Sequence, residues 1–209
     1  AGWYPAQGGD CDELERSLHS AMLRRDDGGR AGNIFEPDMR GRQRHFQGLG
    51  HDLRVALASS SMDQFEVHFQ PVCDTDSGVI QGCEALLRWH HPRKGFIPPD
   101  IFIPIAEKSG LIIVIGRWVI EHTLAQMVLW QQHPPMRDLC VSINISPMQM
   151  IEESFISETE ALLKRYPVNP ERVKFEITES TFIYNEKRIN QIINHFTALG
   201  VKWAIDDFG

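Results

Sequence analysis

From Asp63 onward, short apolar runs alternate with longer amphipathic segments. Residues 65–70, 82–89, 141–146, 173–178 and 203–208 read as strands. The intervening pattern predicts helices over 99–109 joined with 112–132, over 155–166 and over 186–199. In the last of these, Ile189, Ile192, Ile193, Phe196 and Leu199 form one apolar stripe. Strands alternating with helices of this length predict parallel βαβ units, and Glu176 to Asp206 is one such step. A doubly wound sheet usually carries a glycine-rich turn after its first strand, and none is present. A barrel instead keeps its chemistry at the C-terminal ends of many strands, where this chain places its polar residues. The predicted fold is therefore α/β, an incomplete (β/α)8 TIM-type barrel with about five of its eight strands.

The first residues have a different texture, rich in Gly, Arg and Asp. A helical pattern over 12–25 puts Leu14, Leu18, Ala21 and Met22 on one face, with Asp10 or Asp12 as cap and Gly28 and Gly29 as terminator. Residues 33–35 read as a short strand. Residues 40–61 read as a polar helical connector, with Leu49, Leu53 and Leu57 at four-residue spacing. The expected organisation is a separate piece over 1–40, a helical linker over 41–62 and the barrel segment over 63–209.

Composition narrows the function. Hydrophobic residues make up 42% and charged residues 23%, as in ordinary globular proteins. The net charge of −7 argues against a role in binding nucleic-acid polymers, which needs a basic surface. A phosphate-bearing substrate would then need a metal ion or a few placed arginines. Cys11, Cys73, Cys83 and Cys140 form no CxxC pair and no zinc-type cluster, so they are read as reduced thiols in a cytoplasmic protein. The apolar stretch 111–115, resuming at 118–120, is too short and interrupted to span a bilayer, and no membrane contact is expected. The chain starts at Ala1 without methionine and stops at Gly209 just after an acidic pair, and both ends read as cut.

The chemistry-bearing residues sit inside the apolar strands. Glu84 lies in Gly-Cys-Glu-Ala-Leu-Leu-Arg-Trp, Asn144 in Val-Ser-Ile-Asn-Ile-Ser, and Glu176 in Val-Lys-Phe-Glu-Ile-Thr-Glu. Asp206 and Asp207 follow Trp-Ala-Ile. A charge buried in a strand is costly unless paired, and nearby Lys and Arg are too few to neutralise the set. One such carboxylate is more often a solvated rim residue or a helix cap. Oxygen donors on four strands in order favour a shared divalent cation, Mg²⁺ or Mn²⁺. The adjacent Asp206 and Asp207 suit two ions held close together, the arrangement used for attack on phosphate esters.

The motifs together resemble the EAL family. They are Phe69-Gln70-Pro71-Val72, Glu84-Ala85-Leu86-Leu87-Arg88-Trp89, Gly95-Phe96-Ile97-Pro98-Pro99, Phe102-Ile103-Pro104-Ile105-Ala106-Glu107, Asn144-Ile145-Ser146, Glu176-Ile177-Thr178-Glu179-Ser180 and Asp206-Asp207-Phe208-Gly209. Members of that family are (β/α)8 barrels, usually with one antiparallel strand, that hydrolyse cyclic di-GMP to the linear dinucleotide pGpG. The resemblance implies that Glu84, Asn144, Glu176 and Asp206 ligate one metal, with Asp206 bridging to a second ion that Asp207 also holds. Glu84, Asp206 and Asp207 are thereby implied to be catalytic. It implies further that Gln70 and Arg88 contact the substrate, that Leu86 lines the guanine-ribose region, and that Glu179 supports a neighbouring loop. A salt bridge is the plain alternative for Arg88, core packing for Leu86 and a rim charge for Glu179. His90 and His91 precede Pro92 and match the Arg-Trp-x-His-Pro texture rather than a metal site. The family's catalytic lysine and later ligands fall on strands after Gly209, so this segment alone is expected to be inactive. The implied partners are cyclic di-GMP and a second copy of the protein, as a homodimer through this domain.

The first residues resemble the C-terminal tail of a GGDEF (diguanylate cyclase) domain, through Gly2-Trp3-Tyr4-Pro5, the 12–23 helix and Gly29-Arg30. Two departures stand out. Leu18-His19-Ser20-Ala21-Met22-Leu23 replaces the usual Ala-Asp-x-Ala-Met-Tyr, and Asp26 replaces a phosphate-contacting lysine. A carboxylate there repels a triphosphate, so cyclase activity is not expected. Two functions follow from the EAL resemblance: a metal-dependent phosphodiesterase, or a non-catalytic cyclic di-GMP receptor. The intact Glu-Ala-Leu motif and acidic pair favour the enzyme.

Overall fold

The computed structural model describes residues 37–59, 62–179 and 181–206, without the side chains of 37–47, Tyr184 and Asp206. The predicted 12–25 helix, the 33–35 strand, the GGDEF-like tail and Asp207 lie outside these residues. The chain divides at Arg40 into two units, and the second, Gly41–Gly209, holds the sheet and its helices.

Strands β1 (Phe65–Cys73) and β2 (Ile80–His91) form an antiparallel pair. Asp74 shapes the turn between them, its carboxylate accepting from the amides of Asp76 and Ser77 and from the Ser77 hydroxyl. Gly78, at φ +69°, takes the left-handed position there. A short strand β3 (Gly95–Ile97) folds back antiparallel on the end of β2. Strands β4 (Cys140–Asn144), β5 (Val173–Thr178) and β6 (Lys202–Asp206) then add in parallel, giving the order β1-β2-β4-β5-β6. Among the described residues the sheet is open, with β1 and β6 at its edges. This is the mixed α/β fold that the sequence predicts, with β1 antiparallel to the parallel run β2-β4-β5-β6 and the short β3 a second antiparallel neighbour of β2.

Alternation along the strands separates two faces. Cys83, Ala85, Leu87 and Trp89 of β2, Val141 and Ile143 of β4, and Val173, Phe175 and Ile177 of β5 are buried on one side. Helices α2 (Pro99–Lys108), α3 (Ile112–Trp130), α5 (Phe155–Arg165) and α6 (Thr181–Ala198) supply the apolar side chains that join this core; α4 (Pro147–Ile151) is a short turn after β4. Phe175 meets Phe196 and Trp203 edge-on at 5.7 and 5.3 Å, which ties α6 and β6 to the centre of the sheet. The opposite face carries Glu84, Leu86, Arg88, Asn144, Lys174 and Glu176, all only partly covered or exposed.

Three expectations change. Helix α1 (Pro37–Ala58) is more than a connector in its second half: Leu49, Leu53 and Ala56 are buried, and Gly50 lies against Ile105 of α2. Asp52 of α1 also accepts from Lys94 at 2.6 Å and lies 3.1 Å from His91 Nε2. Helix α3, at 19 residues, is long and apolar enough to cross a membrane. Its buried Ile115, Ile120 and Leu124 pack into the core, so its hydropathy reflects a core helix. Helix α6 contains a break at Asn185 (φ −167°, ψ 84°), whose side chain accepts from the Arg188 amide and so caps the stretch predicted to begin at Glu186.

Candidate active site

The polar face owes its make-up to period two. Glu84, Leu86 and Arg88 alternate with the buried residues of β2, and Lys174 and Glu176 do so on β5. Register then brings them level. Gln70 of β1 is the cross-strand partner of Glu84, Glu84 is level with Ser142, and Asn144 is the partner of Glu176. Thr178 is the partner of Asp206, which places that backbone position at the end of the next strand. The Asn144 amide donates to Glu84 Oε1 at 2.7 Å, across β2 and β4. Lys174 reaches Glu176 Oε1 at 3.0 Å.

These contacts revise one step of the sequence argument. Glu84 and Glu176 are not sealed in the apolar core; strand alternation turns them to the open face, where Glu84 has an amide partner and Glu176 an ammonium. Lys174 is a neutralising cation that the sequence reading passed over, although its spacing of two from Glu176 on one strand marks them as face mates. The fit to a divalent cation rests on the donors themselves. Two carboxylates and an amide carbonyl project from three adjacent strands, and with Asn144 Nδ2 on Glu84 its Oδ1 remains as a hard oxygen donor. Asp206 and Asp207 have no described side chains.

Beside this set lies a cleft of about 780 Å³, lined by Leu86, Arg88, Glu107, Asn144, Ser146 and Glu176 among others. Such a volume is in the range of small-molecule sites. Leu86 therefore faces the cleft rather than the core. Arg88 donates to the Leu87 carbonyl at 3.1 Å. Glu179 is exposed in the turn after β5, and its carbonyl accepts from the Phe182 amide.

The wall of the cleft after Asn144 is set by a capping box. The Ser146 side chain accepts from the Met148 amide at 3.3 Å, and Gln149 Oε1 accepts from the Ser146 amide at 3.0 Å. The Ser146 hydroxyl donates to Glu107 at 2.7 Å, which links α2 to the end of β4. Glu107 had no assigned role from sequence; its only signal was a carboxylate ending the Phe-Ile-Pro-Ile-Ala-Glu run. Gly116 of α3 is what lets Gln149 in, since a Cβ there would lie 2.0 Å from its amide nitrogen.

The other sequence-singled residues fall outside this arrangement. His91 is buried, its Nδ1 accepting from the Arg93 and Lys94 amides, so it is structural. His90 lies with Glu66 and His68. Cys73, Cys83 and Cys140 are free thiols, and burial pushes the Cys83 thiol up to about 11.

Comparison with known proteins agrees with the motifs. The EAL domain family matches residues 51–209. The bifunctional diguanylate cyclase/cyclic di-GMP phosphodiesterase MucR of Pseudomonas aeruginosa is 36% identical over 99% of this chain. The cyclic di-GMP phosphodiesterase PdeR of Escherichia coli is 34% identical over 98% of it. The chain spans 30% of the length of each. Among solved structures, the PaMucR phosphodiesterase in complex with c-di-GMP is similar with a TM-score of 0.71 and 38% identity, over 78% of this chain and 64% of that one. The EAL enzyme Bd1971, in its cAMP- and cyclic di-GMP-bound form, gives a TM-score of 0.72 at 27% identity, over 98% of this chain and 53% of that one. With this match over most of its length, and with the ordered motifs and the barrel-type sheet that carries them, the chain belongs to the EAL domain family.

Proposed function

We propose that the protein is a metal-dependent phosphodiesterase that hydrolyses cyclic di-GMP to linear pGpG. The observation that carries this reading is the Glu84–Asn144–Glu176 oxygen set on one polar face, bounded by a cleft of nucleotide size, in a chain of the EAL family. Glu84, Asn144, Glu176, Asp206 and Asp207 would hold Mg²⁺ or Mn²⁺. When bound, the cations offset phosphate charge and make a water nucleophile available near neutral pH.

The chain's own residues then bind and orient. Arg88, on the Glu84 face of β2, presents a planar guanidinium that forks onto a phosphate. Gln70 reaches the same substrate from the neighbouring strand, and Leu86 packs against its guanine-ribose portion. Glu179 supports the loop after β5. The product retains a 5′-phosphate, so the water oxygen bonds to one phosphorus, the P–O3′ bond breaks, and the 3′-oxygen leaves as a hydroxyl after gaining a proton. A cytoplasmic, homodimeric protein belongs to the same reading.

The test is turnover by the full-length protein with cyclic di-GMP, followed by separation of pGpG, with Mg²⁺ or Mn²⁺ and again with a chelator. Metal-dependent pGpG release is the expected result. Tight binding of cyclic di-GMP with no turnover under either metal would replace the enzyme by a receptor.

A further inference from the structure

A second cluster of ligating groups stands apart from the oxygen set. Glu66 and His68 are two residues apart on β1 and share a face, and His90 lies diagonally across on β2, its amide bonded to the Gln64 carbonyl. One ligand atom from each of the three lies within 4.8 Å of the others. The His68 Nε2 to Glu66 Oε2 distance is 2.8 Å, and the His90 Nε2 to Glu66 Oε2 distance is 3.6 Å. Metal–ligand bonds of zinc type place neighbouring ligand atoms of a tetrahedron about 3.3 Å apart, between those two values. The backbone of both strands is held in the sheet, so only side-chain rotation is needed to converge the three. Phe96, 5.8 Å from the His90 ring, backs it on β3.

We infer that Glu66, His68 and His90 form a site for a zinc-class transition-metal dication, separate from the carboxylate cluster and different from it in chemistry. Two imidazoles and one carboxylate suit Zn²⁺, Co²⁺, Ni²⁺ or Cu²⁺, whereas Mg²⁺ prefers all-oxygen donors and keeps its waters. Three protein ligands leave a position open to solvent or to an anion. Glu66 is the cross-strand partner of Arg88, so an ion here sits at the level of the proposed phosphate-binding arginine. The His68 hydrogen bond holds the Glu66 carboxyl below its ordinary range. The site assigns His90 a role that its motif position did not suggest.

The experiment is Zn²⁺ binding to the full-length protein, measured by competition with a chromogenic chelator in a large excess of Mg²⁺. Excess Mg²⁺ competes for all-oxygen donors and poorly for imidazoles, so the readout does not depend on catalysis. Wild type is expected to bind one zinc equivalent that His90→Ala and Glu66→Gln bind roughly tenfold more weakly or not at all. Glu84→Ala should leave that equivalent in place. All three side chains are exposed, and matching thermal melts would show that the variants fold. Unchanged zinc affinity in both His90→Ala and Glu66→Gln, or no zinc bound by wild type under excess Mg²⁺, would overturn the assignment.

Discussion

Replacing Gly116 by alanine tests how the helix layer positions the loop that follows Asn144. A Cβ at this position would come within 2.0 Å of Gln149 Nε2, 2.2 Å of its Cδ and 2.5 Å of its Oε1. No rotation of the methyl group relieves contact with the whole amide, so Gln149 must leave its buried place. Its departure strands the Ser146 amide and undoes the capping box of α4. Overpacking costs about 1–3 kcal/mol and a lost cap about 1 kcal/mol. Better helix propensity of alanine returns about 1 kcal/mol. The net is about 1–3 kcal/mol of destabilisation, or a fall in Tm of roughly 2–4 °C for each kcal/mol in a domain of this size. Thermal or urea unfolding of Gly116→Ala, Gln149→Ala and the double variant reads it directly. In the Gln149→Ala background the added methyl occupies vacated space, so the Gly116→Ala penalty should largely vanish. A Gly116→Ala protein more stable than wild type, by the propensity gain alone, would refute the packing account.

Three further outcomes follow from individual sites. Arg88→Ala should raise KM for cyclic di-GMP by roughly tenfold or more, the cost of a charge-assisted phosphate contact, with a smaller effect on kcat. Asp52 is held below its ordinary value of 3.8 mainly by its hydrogen bond from Lys94. Its contribution to stability is therefore full above that value and is lost as pH falls through the lower folded-state value. The urea midpoints of wild type and Asp52→Asn should differ at neutral pH and converge in strong acid; a constant gap would contradict the pairing. At pH 8 the exposed Cys73 should label with a thiol reagent well before the buried Cys83, whose thiol is raised to about 11, as mass spectrometry of the labelled peptides would show.

Much of the sheet was legible because its strands are apolar runs of ordinary length with polar residues at every second place. Residues 173–178 are the clearest case, alternating buried and half-buried along their whole length. What escaped the pattern was short or tertiary. Three residues of β3 and five of α4 are too few for a period to register. The Leu49 and Leu53 spacing was visible, but nothing local showed that the stripe packs into this core rather than bridging domains. Glu84, Asn144 and Glu176 were found through their motifs, and register explains why they meet. Lys174 and Glu107 were missed because the first meets its partner through strand alternation and the second, on helix α2, meets Ser146 at the end of β4, 39 residues away in sequence. The Glu66–His68–His90 cluster spans two strands joined only by the hairpin, so no linear spacing announces it.

On the proposed reading, the polar face of β2, β4 and β5 would hold the metal on which hydrolysis of cyclic di-GMP depends. The most direct test of that reading is pGpG formation by the full-length protein carrying Glu84→Ala, beside wild type, at saturating Mg²⁺ or Mn²⁺. Glu84→Ala should lose hydrolysis by a factor of at least about a hundred while the protein remains folded. Hydrolysis by Glu84→Ala at the wild-type rate would contradict the account.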